Sequence, residues 1–260
     1  MLELKVSNGD LLRRAVAPLI ELIDIDDDKG IVIYSPNGVS LTSWDQEGYM
    51  YAMLIIKPVI SDDNLFRCNS NGCAGIDLNE VYNKLILQYG ESSVTVQADD
   101  EEHGIIRFIF NLVDEEGNTV SRYETLELKE ADNVYDDPET YLERQYLAII
   151  GIPSNDFVEI LRYLREDSND EAILNITNGQ VRFSTETNRN IIRRTERDEC
   201  IMGGVGEEDE FEVKIDLPPL DALQKAALVS TMVWMLYSDE APLVLNYPVD
   251  DIGSLVFYFD

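Results

Sequence analysis

The residues with chemistry to offer are few in kind: three cysteines, one histidine and 51 aspartates and glutamates. The acids of DIDDDKGIVIYS (24–35) fall at positions 1, 3 and 5 of a calcium-loop spacing. Lys29, however, stands where such a loop needs glycine, and Ser35 where it needs a bidentate glutamate, so the segment reads as a solvated turn. The cluster Gly203-Gly204-Val205-Gly206 leads into EEDEF rather than a helix, a context that repels phosphate. His103 lies in the acidic stretch DDEEHG with no cysteine or serine placed to complete a triad or a zinc site. Cys68, Cys73 and Cys200 are odd in number and lack CxxC spacing, which predicts free thiols. The remaining carboxylate runs, 114–116 and 207–210, read as solvated loops. No catalytic constellation, metal or cofactor is expected.

Charge sharpens the problem. The formal net charge is −31, and a domain that holds nucleic acid by affinity usually needs a basic excess. With 45% apolar residues the chain has enough to bury a core, so the charge does not signal disorder. No run approaches the roughly 18 apolar residues of a membrane span. The start, MLELKVSNGD, has no basic region followed by an apolar stretch, so an intracellular protein without a signal peptide is expected.

The elements that would position any site come in duplicate. IDLNEVYNKLILQYGESSVTVQADDE begins at Ile76 and IDLPPLDALQKAALVSTMVWMLYSDE at Ile215. Both open Ile-Asp-Leu, reach a valine-rich strand eighteen residues later at Val94 and Val233, and close on Asp-Glu. A looser echo pairs DLLRRAVAPLIELI with NDFVEILRYLRE. Each copy predicts two helices. Leu11, Leu12, Ala15, Val16, Leu19, Ile20 and Ile23 set the buried stripe of the first, with Arg13, Arg14, Ala17 and Glu21 opposite and Pro18 expected to kink it. Asp77 with Glu80 forms a capping box for the second, which buries Leu78, Val81, Tyr82 and Leu85. Ser154 is expected to cap the third, over Phe157, Ile160, Leu161 and Leu164. Asp216 is expected to cap the fourth, with Pro218 and Pro219 in its first turn. Most of the rest alternates with period two, as in KGIVIYS, YMYAMLII, GIIRFIFNLV, AILNIT, VRFSTE and LVFYF. The expectation is an α+β fold of two tandem domains, 1–126 and 147–260, each with two helices packed on antiparallel sheets. The acidic, aperiodic stretch between them, 127–146, is the connector.

A duplicated domain of this kind resembles the proliferating cell nuclear antigen family of DNA sliding clamps. The resemblance is carried by LLRRAVAPLIELI with NGVSLTSWD (11–45), FRCNSNGCAGIDL (66–78), IPSNDF (152–157) and APLVLNYPVDDIGSLVFYF (241–259). It implies a closed homotrimer with helices lining a central hole and sheets outside. It also implies double-stranded DNA as a topologically held partner, loading by a clamp loader, and use by DNA polymerase, flap endonuclease and DNA ligase in a nucleus or in a viral or archaeal replication compartment.

A threaded ring needs only a locally basic lining within an acidic body. The resemblance then makes Arg13, Arg14, Lys84, Arg162, Arg165 and Lys225 the DNA-facing cations, although ordinary solvated helix faces would carry the same residues. Ile20, Asn83, Ile86 and Glu159 fall where the family usually has Lys or Arg, so the lining is expected to be less positive than in relatives. By position, Trp44, Val134, Tyr135, Pro242 and Tyr258 would form the partner pocket; Trp44 and Tyr258 as plain core residues are the alternative. Asp137 and Asp260 replace apolar residues there, which favours a more basic partner peptide. Subunits would join through edge segments 118–126, around Tyr123, and 181–187, around Phe183. Two other readings stay open: a checkpoint-type clamp subunit of a heterotrimer, and an acidic DNA mimic or histone-binding protein.

Overall fold

The computed structural model describes residues 1–23, 29–45, 50–58, 64–86, 93–98, 104–113, 119–131, 144–166, 171–187, 189–250 and 252–259. The first half runs β1 (Leu2–Val6), α1 (Gly9–Ile20), β2 (Lys29–Ser35), β3 (Gly38–Trp44), β4 (Met50–Ile56), β5 (Leu65–Cys68), β6 (Gly72–Asp77), α2 (Leu78–Ile86), β7 (Ser93–Ala98), β8 (Ile105–Val113) and β9 (Thr119–Glu127). The second repeats that order: β10 (Ala148–Pro153), α3 (Ser154–Arg165), β11 (Glu171–Thr177), β12 (Gln180–Ser184), β13 (Asn190–Arg194), β14 (Ile201–Gly203), β15 (Glu210–Asp216), α4 (Leu220–Ala226), β16 (Met232–Ser238), β17 (Ala241–Val249) and β18 (Gly253–Phe259).

The strands form three sheets, and their orders expose the duplication. One sheet is β5-β1-β7-β8-β9 and another β13-β12-β11-β15, while a third spans both halves as β14-β10-β16-β17-β18-β4-β3-β2-β6. The nine-stranded sheet is therefore a five-strand block of the second half zipped to a four-strand block of the first. Its seam is the antiparallel pairing of β18 with β4, from Gly253↔Ile56 to Phe259↔Met50. A Cβ at Gly253 would lie 2.0 Å from the Ile55 carbonyl oxygen, so glycine is required where the seam begins.

The four helices lie side by side against the sheets in the order α2-α1-α4-α3. Their apolar stripes enclose the main core, where Leu12, Val16, Leu19, Leu85, Phe157, Ile160 and Leu223 are buried with the inner sheet residues. Three local expectations are corrected. Ser154 does not cap α3: Pro153, with ψ near 129°, is the boundary residue, and Ser154 is already helical, buried, its hydroxyl without a partner. Pro218 and Pro219 precede α4 rather than opening it, and Asp216 does not cap it: Pro218, as a residue before proline, is held out of the helical region, and Pro219, with ψ 119°, is the boundary residue. Ala17 and Pro18 are buried, and α1 continues through Pro18 to Ile20. Asp77 does cap α2, accepting from the Glu80 amide at 2.8 Å. At the start of the connector, Lys129 and Gly75 exchange both backbone hydrogen bonds at 2.9 Å, extending the sheet beyond β6.

Candidate nucleic-acid interface and partner surfaces

The helix layer places every expected DNA-facing cation, and engages each one. Asp10, in the first turn of α1, takes Arg13 Nη2 at 2.6 Å and lies 3.0 Å from Arg14 Nε. Arg13 also donates to the Tyr82 hydroxyl at 3.3 Å and sits over that ring, linking α1 to α2. The Arg13 hydrogen bond holds the Asp10 carboxyl below the ordinary aspartate range, and the same bond raises Arg13. Arg14 reaches across to the Leu228 carbonyl at 3.2 Å, just past α4. Lys84 lies 3.1 Å from Glu80 and 3.9 Å from Glu124 of β9. Arg162 pairs with Glu159 one turn earlier, and Lys225 of α4 pairs with Glu21 at the end of α1. Arg165 is different in kind: its Nη2 donates to the Leu217 and Pro218 carbonyls at 2.6 and 2.7 Å, so the side chain ties α3 to the approach of α4.

Within the helices, six cations stand against five carboxylates, a balance of +1 in a chain of net charge −31. The layer thus carries almost none of the chain's acidic excess. Five of the six cations are already paired with a carboxylate, Arg165 being the exception.

The opposite face of the nine-stranded sheet carries a second apolar cluster of Met53, Ile55, Leu236, Val244, Val256 and Tyr258, flanked by half-buried Tyr51, Tyr146 and Trp234. Register lines up Trp44, Tyr51, Tyr258, Val244, Leu236 and Ile149 as one row across six strands. Of the expected pocket residues, Trp44 is half-buried at the end of β3, whereas Tyr258 is fully buried and stacked on Tyr51 with ring centroids 4.5 Å apart. Pro242 lies in β17. Val134, Tyr135, Asp137 and Asp260 fall outside the described residues. The aromatic that Trp44 faces at the surface is Tyr51, its cross-strand partner. The period-two run YMYAMLII contained that signal, since Tyr51 shares a face with Met53 and Ile55. Burial raises the Tyr146 hydroxyl pKa at the same cluster.

The edges hold one match and one correction. β9 is a terminal strand of its sheet and leaves Tyr123 62% exposed. Segment 181–187 is not an edge: β12 is flanked by β11 and β13, and Phe183 is buried edge-to-face against Phe157 at 6.1 Å. The terminal strand is β13, Asn190–Arg194.

The discarded motifs settle locally. Asp209 Oδ2 accepts from the Gly206 amide at 2.7 Å, placing a carboxylate where a glycine-rich loop would hold phosphate. All three cysteines are free, and burial raises the thiol pKa of Cys73 and Cys200. Among the described residues, no three side chains are grouped to hold a metal, and no helix is long and apolar enough to cross a membrane. His103 and Asp24–Asp28 lie outside those residues.

Comparison with known proteins agrees with the duplicated architecture. Residues 1–136 match the family described as proliferating cell nuclear antigen, N-terminal domain, and residues 141–260 match its C-terminal domain. Proliferating cell nuclear antigen 2 of Drosophila melanogaster is 25% identical over 267 residues, covering 99% of this chain and 96% of that one.

Proposed function

The chain belongs to the proliferating cell nuclear antigen family, and from that premise we propose that it is a sliding clamp: copies of it close into a ring around duplex DNA and tether replication and repair proteins there. The observation that carries this reading is the pair of unmatched sheet blocks. Inside the chain, a five-strand block ending in β18 is zipped to a four-strand block beginning with β4. The leftover blocks have the same orders and, among the described residues, end in β9 and β13 as edge strands. Joining β9 of one copy to β13 of the next rebuilds the nine-stranded sheet. Such a head-to-tail contact closes into a ring when the rotation suits, and three copies is the closure we propose.

The duplication supplies the register too. The pairs Trp234↔Asn246 and Asn246↔Val256 correspond to Thr95↔Ile109 and Ile109↔Tyr123, so Tyr123 takes the place of Val256. By the same route through β3 and β12, Asn190 takes the place of Met53, the seam partner of Val256. The intersubunit pairs are then Tyr123↔Asn190, Arg122↔Ile191 and Glu124↔Arg189. Because both edges belong to one chain and one of their pairs is of opposite charge, they favour a homomeric ring over a subunit that needs two different partners.

Threading reconciles the role with the charge. A ring stays on DNA without net attraction, and Arg13, Arg14, Lys84, Arg162 and Lys225 meet phosphates only by exchange with their carboxylates. Polymerase, clamp loader, flap endonuclease and ligase are the partner classes for the Trp44–Tyr51 end of the outer row, where aromatic surface suits a peptide anchor. No catalytic group is required. The test is retention on DNA: protein loaded onto a nicked circular plasmid should co-elute with it and be lost when the plasmid is linearised. Equal retention on linear and circular DNA, or competition with DNA for basic proteins without retention, overturns encirclement and favours an acidic mimic.

A further inference from the structure

The outer face of the nine-stranded sheet has a second apolar end, three strands beyond Tyr258, about 14 Å away at ordinary strand spacing. There Leu147, Ile149 and Ile201 are 38%, 37% and 56% exposed, beside half-buried Trp234. Cross-strand register groups them: Ile149 faces Leu236 and Gly203, while Gly151 faces Trp234 and Ile201. A Cβ on Gly151 would lie 2.8 Å from the indole, so the Trp234 ring lies down over the glycine and presents a flat surface.

The first half of the chain is an internal control for this patch. Equivalent registers put Glu3 where Ile149 is, Lys5 at Gly151, Arg67 at Gly203, Thr95 at Trp234 and Gln97 at Leu236, while Met1 and Leu65 stand at Leu147 and Ile201. The centre of that face is polar where this one carries Ile149 and Leu236. The fold therefore does not demand apolar residues at Ile149 and Trp234, and their addition beside Leu147 and Ile201 in one copy of the domain marks a contact surface.

Charge and edge indicate what fits. β14 is the terminal strand of the sheet, so its outer backbone groups are open to pairing. The chain leaves it into Glu207, Glu208, Asp209 and Glu210, all exposed. That stretch borders the patch, since a Cβ on Gly204 would lie 2.6 Å from the Leu147 carbonyl oxygen. Exposed Asp239 and Glu240 close the same end: the Leu147 amide donates to the Tyr237 carbonyl at 2.8 Å, and Arg144 donates to the Glu240 carbonyl at 3.2 Å.

We propose that the patch of Leu147, Ile149, Ile201 and Trp234 is a second docking site, which takes an extended segment of a partner protein along β14. That segment carries apolar side chains on one face and lysine or arginine at the end that meets the acidic rim. The site is separate from the Trp44–Tyr51 end of the row and does not depend on encirclement.

The chain's two tryptophans make a direct test, because Trp44→Phe leaves Trp234 as the sole indole. A synthetic extended peptide alternating valine with lysine should shift Trp234 emission to the blue, saturably, and the same peptide with glutamine for lysine should bind more weakly. Ile149→Gln and Ile201→Gln, made separately at exposed positions, should each weaken binding about tenfold, the loss expected for an anchor residue. Glu207→Gln with Glu208→Gln should weaken it mainly at low salt. Plasmid retention should survive the Ile149, Ile201, Glu207 and Glu208 changes made in the parent chain, which separates failure of this site from failure of the clamp reading. Isoleucine variants that bind as well as the parent, or a glutamine peptide that binds equally, would overturn the proposal. So would sedimentation showing that the patch pairs with a second copy and that Ile201→Gln abolishes the association.

Discussion

Lys225 is paired with Glu21 across the join between the two halves of the chain, so a cation of the helix layer is held by the residue that ends α1. Both side chains are about one-third exposed, and pairs of that kind contribute at most about 1 kcal/mol. Glu21→Gln should therefore cost little stability while releasing Lys225 toward phosphate. The measurable effect is on DNA: the dependence of log affinity on log salt should steepen by about one counterion. An unchanged salt slope would show that Lys225 does not face DNA.

Asp10 is predicted to act through pH. Its folded-state pKa is lowered, chiefly by the Arg13 hydrogen bond, so its contribution is fully present above the unfolded aspartate value. It is lost as pH falls through the lower folded value. Asp10→Asn should be less stable than wild type near neutrality by about 0.5–1 kcal/mol, the range for an exposed pair at a helix N-terminus. In urea unfolding, that gap should close as pH drops below about 4, the ordinary aspartate value. A gap independent of pH would mean the carboxylate's charge is irrelevant.

Ser154 gives a prediction of opposite sign to the usual one. At a true N-cap, serine to alanine costs about 1 kcal/mol. Here the hydroxyl is buried without a partner inside the first turn of α3, so removing it relieves a desolvation cost. Ser154→Ala should leave the thermal midpoint unchanged or raise it. A clear drop would restore Ser154 as a cap.

These cases show where the sequence is informative. The repeat was legible because Ile76 and Ile215 open stretches whose strands, β6 with β7 and β15 with β16, keep one spacing, and strand faces depend on spacing alone. The helix stripes were legible for the same reason. Boundaries were not: Pro153 and Pro219 take the place of a capping side chain, and a proline's backbone restraint competes with the Ser and Asp signals beside it. The edge was misplaced because VRFSTE alternates clearly, as an interior strand does, whereas Ile191–Arg194 of β13 are uniformly half-buried and show no contrast between faces. Tyr258 could not be assigned from sequence because its covering ring, Tyr51, comes from the other half of the chain.

Phe183 and Tyr123 should separate when each is changed. Phe183 is core, and Phe183→Ala should lower stability by about 3–5 kcal/mol, the cost of an aromatic cavity. Tyr123→Lys, at an exposed edge position, should leave folding intact and shift sedimentation from ring to monomer. If Tyr123→Lys unfolds the protein, or leaves assembly untouched, β9 is not the joining edge.

The proposed register makes a stricter demand on Glu124 and Arg189. Both lie on the edge strands' approach, and each is engaged within its own copy, Glu124 with Arg122 and Lys84, Arg189 with Glu166. If β9 meets β13 as β18 meets β4, these two residues stand directly opposite each other between copies. Like charges directly opposite on paired strands destabilise, and opposite charges contribute about 0.2–1 kcal/mol. Glu124→Arg alone, and Arg189→Glu alone, should each weaken assembly, and the double variant should recover most of the loss. The cycle isolates the pair because additive losses would mean that each residue acts only through its contacts within one copy. Sedimentation equilibrium of the four proteins at one salt concentration reads the result. Recovery in the double variant requires both the edge and the register to be right, since a slip of one residue would move Glu124 to the opposite face from Arg189.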